Sequence, residues 1–130
     1  MIKVLPIQSK AEQEEICKKC GVKYNPNLLA YKATVDDELV GISQFTMDKI
    51  GGHIIDLACV EGVYNTQVLF LLGRATMNFI DLTGVHEAYY EAADDNEDLI
   101  KTIGFNKNDD GKYYVDMTDF FISPCEHDKN

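Results

Sequence analysis

His53-Ile54-Ile55-Asp56-Leu57-Ala58-Cys59-Val60 is an almost unbroken apolar run, bounded by Gly51-Gly52 on one side and Glu61-Gly62 on the other. A run of this length, rich in β-branched residues and closed by turn formers, reads as a strand covered on both faces. Asn65-Thr66 follows, and a short side-chain oxygen there accepts from the orphan N–H groups of a helix start. Leu69, Leu72, Thr76, Phe79, Ile80 and Thr83 then recur at helical spacing up to Gly84, which predicts one long helix closed by glycine. A strand that turns tightly into a helix leaves free N–H groups at the helix start, one way to build an anion site.

Toward the N-terminus, residues 2–7 alternate around Val4 and predict a short strand ended near Pro6. Ser9-Lys10-Ala11-Glu12 fits a capping box, so a helix follows with Ala11, Ile16 and Cys20 on its apolar face and Gly21 as its stop. Tyr24-Asn25-Pro26-Asn27 is a turn. Residues 28–35 predict a strand with Leu29, Tyr31, Ala33 and Val35 on one face. Asp36-Asp37-Glu38 is a hairpin turn that lacks a glycine, and residues 39–47 return antiparallel. Gly41 inside that strand marks a bulge or a close backbone approach. Residues 48–52 form a second hairpin loop, which delivers the chain into the central strand.

Toward the C-terminus, residues 85–92 predict a strand. A helix between two buried strands implies a right-handed crossover and parallel pairing. Asp94-Asp95-Asn96 ends that strand, Asn96 caps a brief helix over residues 97–103, and Gly104 closes it before Phe105 re-enters the core. Asn108-Asp109-Asp110-Gly111 is a turn, residues 112–117 a strand with Tyr113 and Val115 on one face, and Phe120-Phe121-Ile122 is expected to extend the sheet before a polar tail from about residue 123. The order β-α-β-β-β-α-β-α-β over residues 1–130 predicts a single α+β domain, a sandwich with a mixed central sheet.

The chain has 130 residues, 45% apolar and 26% charged, with a formal net charge of −10 spread over turns and helix ends. Such a field repels phosphate backbones and anionic lipid, so neither nucleic acid nor a membrane surface is expected as partner. No apolar run approaches ~18 residues, and the start Met1-Ile2-Lys3-Val4-Leu5-Pro6 lacks the layout of a signal peptide. A cytoplasmic protein is the expectation. Of four cysteines, Cys59 reads as a small hydrophobe within the strand. Cys17-Lys18-Lys19-Cys20 has C-x-x-C spacing, and Cys125 with His127 would complete a four-ligand zinc site. The single C-x-x-C at a helix end argues instead for no metal site and no structural disulfide.

Three places in this order resemble the GNAT superfamily of acyl-CoA N-acyltransferases. They are the hairpin of residues 29–47 with Val40-Gly41 in its second strand, the apolar strand and long helix ending Thr83-Gly84-Val85, and the short helix Leu99-Ile100-Lys101-Thr102-Ile103 before Gly104-Phe105. The likeness spans residues 2–121. It implies a three-layer sandwich, a mixed and mostly antiparallel sheet with helices on both faces. It also implies transfer of an acyl group from acetyl-CoA to the amine of a small molecule or peptide. In such a protein the strands flanking the long helix splay apart and the pantetheine arm lies in the gap, with the pyrophosphate on the helix-start N–H groups. A sheet carboxylate deprotonates the amine, and a tyrosine on the short helix protonates the departing thiolate.

The resemblance assigns Ala58, Cys59 and Val60 to the arm and Thr66, Gln67, Val68, Leu69 and Phe70 to the phosphate turn. The family's R/Q-x-x-G-x-G/A motif falls on residues 65–70, which hold neither glycine nor arginine. A Cβ at the glycine positions crowds the phosphates. Ile100 stands where the tyrosine is expected, and the front of the chain has one helix where the family often has two. Asp56 and Glu91 are the candidate catalytic carboxylates. Asp56 is open to two readings, a buried general base or a side chain turned to solvent. Tyr89 and Tyr90 point to opposite faces, one into the core and the other a candidate replacement for the missing hydroxyl. Arg74, the only arginine, reads as a salt-bridge partner, and His53, His86 and His127 have no metal-ligand spacing. These departures leave a second expectation beside the acetyltransferase: a degenerate GNAT-like binding module. There Val68, Leu69 and Phe70 fill the cofactor cleft, and aromatics such as Phe120 and Phe121 pair subunits into a homodimer.

Overall fold

The computed structural model describes residues 1–121. In chain order the elements are β1 (Ile2–Pro6), α1 (Lys10–Cys20), β2 (Leu29–Val35), β3 (Glu38–Met47), β4 (Gly52–Cys59), α2 (Thr66–Leu82), β5 (Glu87–Tyr90), α3 (Glu97–Ile103), β6 (Asn106–Lys107) and β7 (Tyr113–Asp116). They form one seven-stranded sheet in the order β1-β2-β3-β4-β5-β7-β6. Among the described residues only β4 and β5 pair in parallel. On one face α1 sets Ile16, Cys17 and Cys20 against Ala30 and Ile42. On the other, α2 and α3 bury Leu69, Leu72, Ile80, Leu99 and Ile103 over Ile54, Leu57 and Ala88. This is the expected three-layer α+β sandwich with a mixed sheet. No helix among the described residues is long and apolar enough to cross a membrane.

The local signals act where the sequence placed them. Ser9 accepts from the Glu12 amide to start α1, and Gly21 ends it with φ +68°. Asn65 and Asn96 cap α2 and α3 through the amides of Val68 and Leu99. The β2–β3 hairpin turns through Asp36 and Asp37, both left-handed at φ 49° and 69°, a conformation that aspartate tolerates without glycine. At Gly41 both readings meet. Ala33 faces Gly41 but Thr34 faces Leu39, so Val40 is an extra residue. A Cβ on Gly41 would stand 2.8 Å from the Ala58 carbonyl oxygen and 3.1 Å from Leu72 Cδ1.

A second bulge shapes the centre of the molecule. Gln44 faces Asp56 while Phe45 faces Ile54, which leaves Ile55 unpaired. Ile54 and Leu57 lie three apart and would face opposite sides of a regular strand. The extra residue lets both enter the α2 layer, and Asp56 turns toward the α1 side beside Gln44.

Four expectations are corrected. Ala11 is exposed, and Gln13 and Cys17 are buried in its place. Leu29 is exposed although it shares the predicted face of β2, and Ala30 is buried instead. β5 is four residues rather than eight, because the chain leaves the sheet once the Glu91 amide has bonded to the Ile54 carbonyl. Phe120 and Phe121 lie in a turn, with Asp119 at φ 64°, instead of extending the sheet. Ile122, Cys125, His127 and the tail lie outside the described residues.

Candidate active site

The parallel pairing of β4 with β5 runs only from Gly52 opposite Ala88 to Ile54 opposite Tyr90. The Glu91 amide donates to the Ile54 carbonyl at 2.8 Å, and beyond that bond the two chains part. A cavity of about 280 Å³ opens between them, lined by Asp56, Ala58, Cys59, Val60 and Leu69 together with Glu61, Tyr64 and Asp94. The expected splay is therefore present.

Asp56 is half-buried on the wall of this gap. Gln44 Nε2 donates to its Oδ2 at 2.7 Å. Burial pushes the carboxyl above its ordinary range, and the Gln44 hydrogen bond pulls part of that back. Asp56 is thus not turned freely to solvent, and its setting is nearer the buried reading, with a polar partner that the sequence did not show.

The mouth of the gap is spanned by protein. Tyr64 Oη donates to Asp94 Oδ2 at 2.8 Å and accepts from Asn96 Nδ2 at 3.1 Å. The Asn65 amide donates to Cys59 Sγ at 3.5 Å, tying the end of β4 to the start of α2. Asn65 also occupies the Val68 amide, so Thr66 and Gln67 carry the open donors of the helix start. Their side chains and Phe70 line a separate cavity of about 480 Å³ against α3. Val68 and Leu69 point into the core; Leu69 also lines the gap, whereas Phe70 stays outside it. Arg74 has no carboxylate partner among the described residues. Its Nε and Nη2 donate to the carbonyls of Ile103 and Thr102 at 2.6 and 3.2 Å, and its guanidinium lies over the rings of Phe70 and Phe120. It closes the C-terminus of α3 and is not the salt-bridge partner that the sequence suggested.

Glu91 is elsewhere. Its carboxylate contacts His53 Nδ1, and the two line a third cavity of about 400 Å³ with Tyr89, Tyr90, Lys112 and Tyr113. The structure therefore does not bring Asp56 and Glu91 to one wall. Asp48 approaches His53 Nε2 at 3.0 Å from the other side, and Tyr89 stacks on the imidazole. Tyr90 is the core member of the tyrosine pair, its hydroxyl donating to the Asp94 carbonyl at 2.7 Å. Ile100 is wholly buried. His86 Nδ1 lies 2.6 Å from Asp81 Oδ1. Cys17 and Cys20 are buried thiols, pushed up to about 11 and about 12 chiefly by burial, and burial raises Cys59 as well. No group of three or more metal-ligating side chains is gathered among the described residues.

Sequence reasoning missed Gln13, Gln44, Tyr64 and Asp94. One signal was available for Gln44: Ser43-Gln44 is a polar pair inside the apolar strand Leu39 to Met47, and buried polar groups need partners. Ser43 meets Thr76 of α2 at 2.8 Å; Gln44 meets Asp56.

At the mouth of the gap Glu61 and Asp94 line the wall, Tyr64 bridges it, and no lysine or arginine lines it among the described residues, so phosphates would meet no cation there. No protein-family model matches the sequence, and no curated protein matches it. Solved structures are similar in shape. An acetyltransferase from Bacillus subtilis in complex with CoA aligns at TM-score 0.70 and 13% identity, over 91% of this chain and all (100%) of that one. A GNAT-family protein from Desulfovibrio desulfuricans aligns at TM-score 0.66 and 11% identity, over 91% and 100% of the two chains. The PaiA N-acetyltransferase from Thermoplasma acidophilum, in complex with coenzyme A, aligns at 0.59 and 11%, over 88% and 96%. At these identities the likeness is one of fold alone: the chain has the GNAT fold.

Proposed function

We propose that this protein transfers an acyl group from acyl-CoA to an amine, with Asp56 as the general base. The observation that carries this reading is the Asp56 carboxylate on the wall of the β4–β5 gap, held by Gln44. A base there takes a proton from an amine entering at the gap, leaving the nitrogen lone pair free to attack a thioester carbonyl. Burial favours this, because a carboxylate raised out of its ordinary range is a stronger proton acceptor. The carboxylates of Glu61 and Asp94 beside it, and the net charge of −10, draw a cationic amine toward the site and hold nucleic acid away. Acyl-CoA, when bound, would supply the activated thioester, and CoA would leave as the thiolate when the C–S bond breaks, with the amine proton held on Asp56.

Calorimetric titration with acetyl-CoA tests the binding step, and mass spectrometry of an amine mixture tests transfer. Asp56→Asn is expected to lower transfer by about 10²- to 10⁴-fold while leaving acetyl-CoA affinity unchanged. No heat of binding up to millimolar acetyl-CoA would remove this reading.

One observation favours a second reading, a GNAT-fold module that no longer turns over. It is the Tyr64–Asp94 bridge across a mouth that no lysine or arginine lines among the described residues. Under that reading the protein binds a partner or a second copy of itself, and sedimentation without ligand would show a dimer.

A further inference from the structure

Gln13 and Gln44 are both fully buried, with no exposed surface, and they form one line of hydrogen bonds running in a single direction. Lys10 Nζ donates to Gln13 Oε1 at 3.1 Å. Gln13 Nε2 donates to Gln44 Oε1 at 2.9 Å, and Gln44 Nε2 donates to Asp56 Oδ2 at 2.7 Å. Each amide is pinned by its second N–H: Gln13 gives it to the Leu28 carbonyl at 3.2 Å and Gln44 to the Lys23 carbonyl at 2.9 Å. Lys10 is pinned by the same Leu28 carbonyl at 2.7 Å. Rotating either amide by half a turn would set its oxygen against a carbonyl and, for Gln44, against the Asp56 carboxylate. The arrangement therefore has one orientation, with a cation at one end and a carboxylate at the other.

We propose that Gln44 is a positioning residue, oriented by Gln13 and Lys10, which holds Asp56 Oδ2 as an acceptor and leaves Oδ1 as the oxygen that takes the proton of the incoming amine. Oδ1 has no hydrogen-bond partner among the described residues. When the amine N–H bond breaks, its proton goes to Oδ1 and its electron pair stays on nitrogen; Gln44 keeps its bond to Oδ2 in both states. The line reaches Asp56 from the α1 layer, so the front helix acts on the gap although it lines none of the Asp56 wall. This inference rests on Asp56 being the base.

The test separates the two claims. The Asp56 carboxyl is followed by carbon-13 NMR through an acid titration of the full chain without any ligand. Gln44→Met, of similar volume, is expected to raise the midpoint of that titration, because a hydrogen bond that favours the ionised form is gone. Gln13→Met, one step further out, is expected to move it in the same direction by less, and it replaces Gln44→Met as the readout if that variant does not fold. In an active wild type, Gln44→Met is expected to lower kcat about ten-fold and carry the same pH displacement into the rate profile, with KM for acetyl-CoA unchanged. An Asp56 midpoint identical in wild type and both variants would overturn the positioning role. A displaced midpoint in a protein without transferase activity would keep the positioning of Asp56 and discard its role as base.

Discussion

Tyr64 Oη donates to Asp94 Oδ2 at 2.8 Å and thereby joins the loop before α2 to the chain after β5 across the mouth of the gap. The Asp94 Oδ1 atom meanwhile accepts from the Asn96 amide at 3.0 Å. Asp94→Asn keeps an oxygen for that turn and removes one negative charge from the mouth. Acetyl-CoA, with its phosphates, is expected to bind this variant about five-fold more tightly at low ionic strength, with the gain shrinking as salt is added. Calorimetry at two salt concentrations checks it. Equal affinity in both proteins would mean that the phosphates do not approach this mouth.

Arg74 spends its guanidinium on the C-terminus of α3, between the rings of Phe70 and Phe120. Arg74→Met is expected to cost about 1–3 kcal/mol of folding stability, from two lost bonds to helix-end carbonyls and the lost ring contacts. Arg74→Lys should fall between, since an ammonium cannot repeat the fork. Denaturant unfolding reads both, and acetyl-CoA affinity should be unmoved. A large loss of affinity without a loss of stability would instead place Arg74 in the ligand site.

Gly41 sits where a Cβ would meet the Ala58 carbonyl oxygen at 2.8 Å. That atom is backbone in the neighbouring strand and cannot swing aside. Gly41→Ala is expected to destabilise the fold by about 1–3 kcal/mol by forcing β3 and β4 apart. A urea midpoint equal to wild type would show that the two strands yield more easily than their packing suggests.

His53 lies between Glu91 and Asp48. Burial alone would lower its pKa, but the hydrogen bond to Glu91 and the nearby carboxylates of Glu91 and Asp48 outweigh it, and the imidazole is raised above 6.5. The folded state thus holds this proton more tightly than the unfolded chain. The stabilisation is complete below the unfolded value and is lost as pH rises through the folded one. Wild type is expected to lose stability relative to His53→Gln, which has no such proton to lose, as pH rises above the ordinary imidazole range of about 6.5. Urea unfolding on both sides of that range compares them, and parallel curves would show that the clamp contributes nothing.

The architecture was legible because its signals are local. The caps at Ser9, Asn65 and Asn96, the glycine stops, and the apolar run through β4 each depend on residues within a turn of one another, and element order follows from them. Helix α1 buries Ile16 and Cys20 as the sequence suggests, but Gln13 takes the place expected of Ala11, because a glutamine looks polar in sequence and is buried here by virtue of a partner that sequence spacing does not reveal. Phe120 and Phe121 look like strand residues, but Phe120 packs over Gly104 and Arg74 instead.

The site was less legible, for a related reason. The sequence by itself determined that an acidic residue would sit in the central strand and that the turn after it would lack glycine. Only the tertiary structure decided what surrounds Asp56. The bulge at Ile55 reverses the alternation of β4 and brings Asp56 to Gln44, 12 residues away, and Gln44 meets Gln13 across 31. The same holds for Glu91, which pairs with His53 over 38 residues rather than joining Asp56. Such contacts are fixed by register and layer packing, and these are set jointly by distant parts of the chain rather than by any one stretch of it.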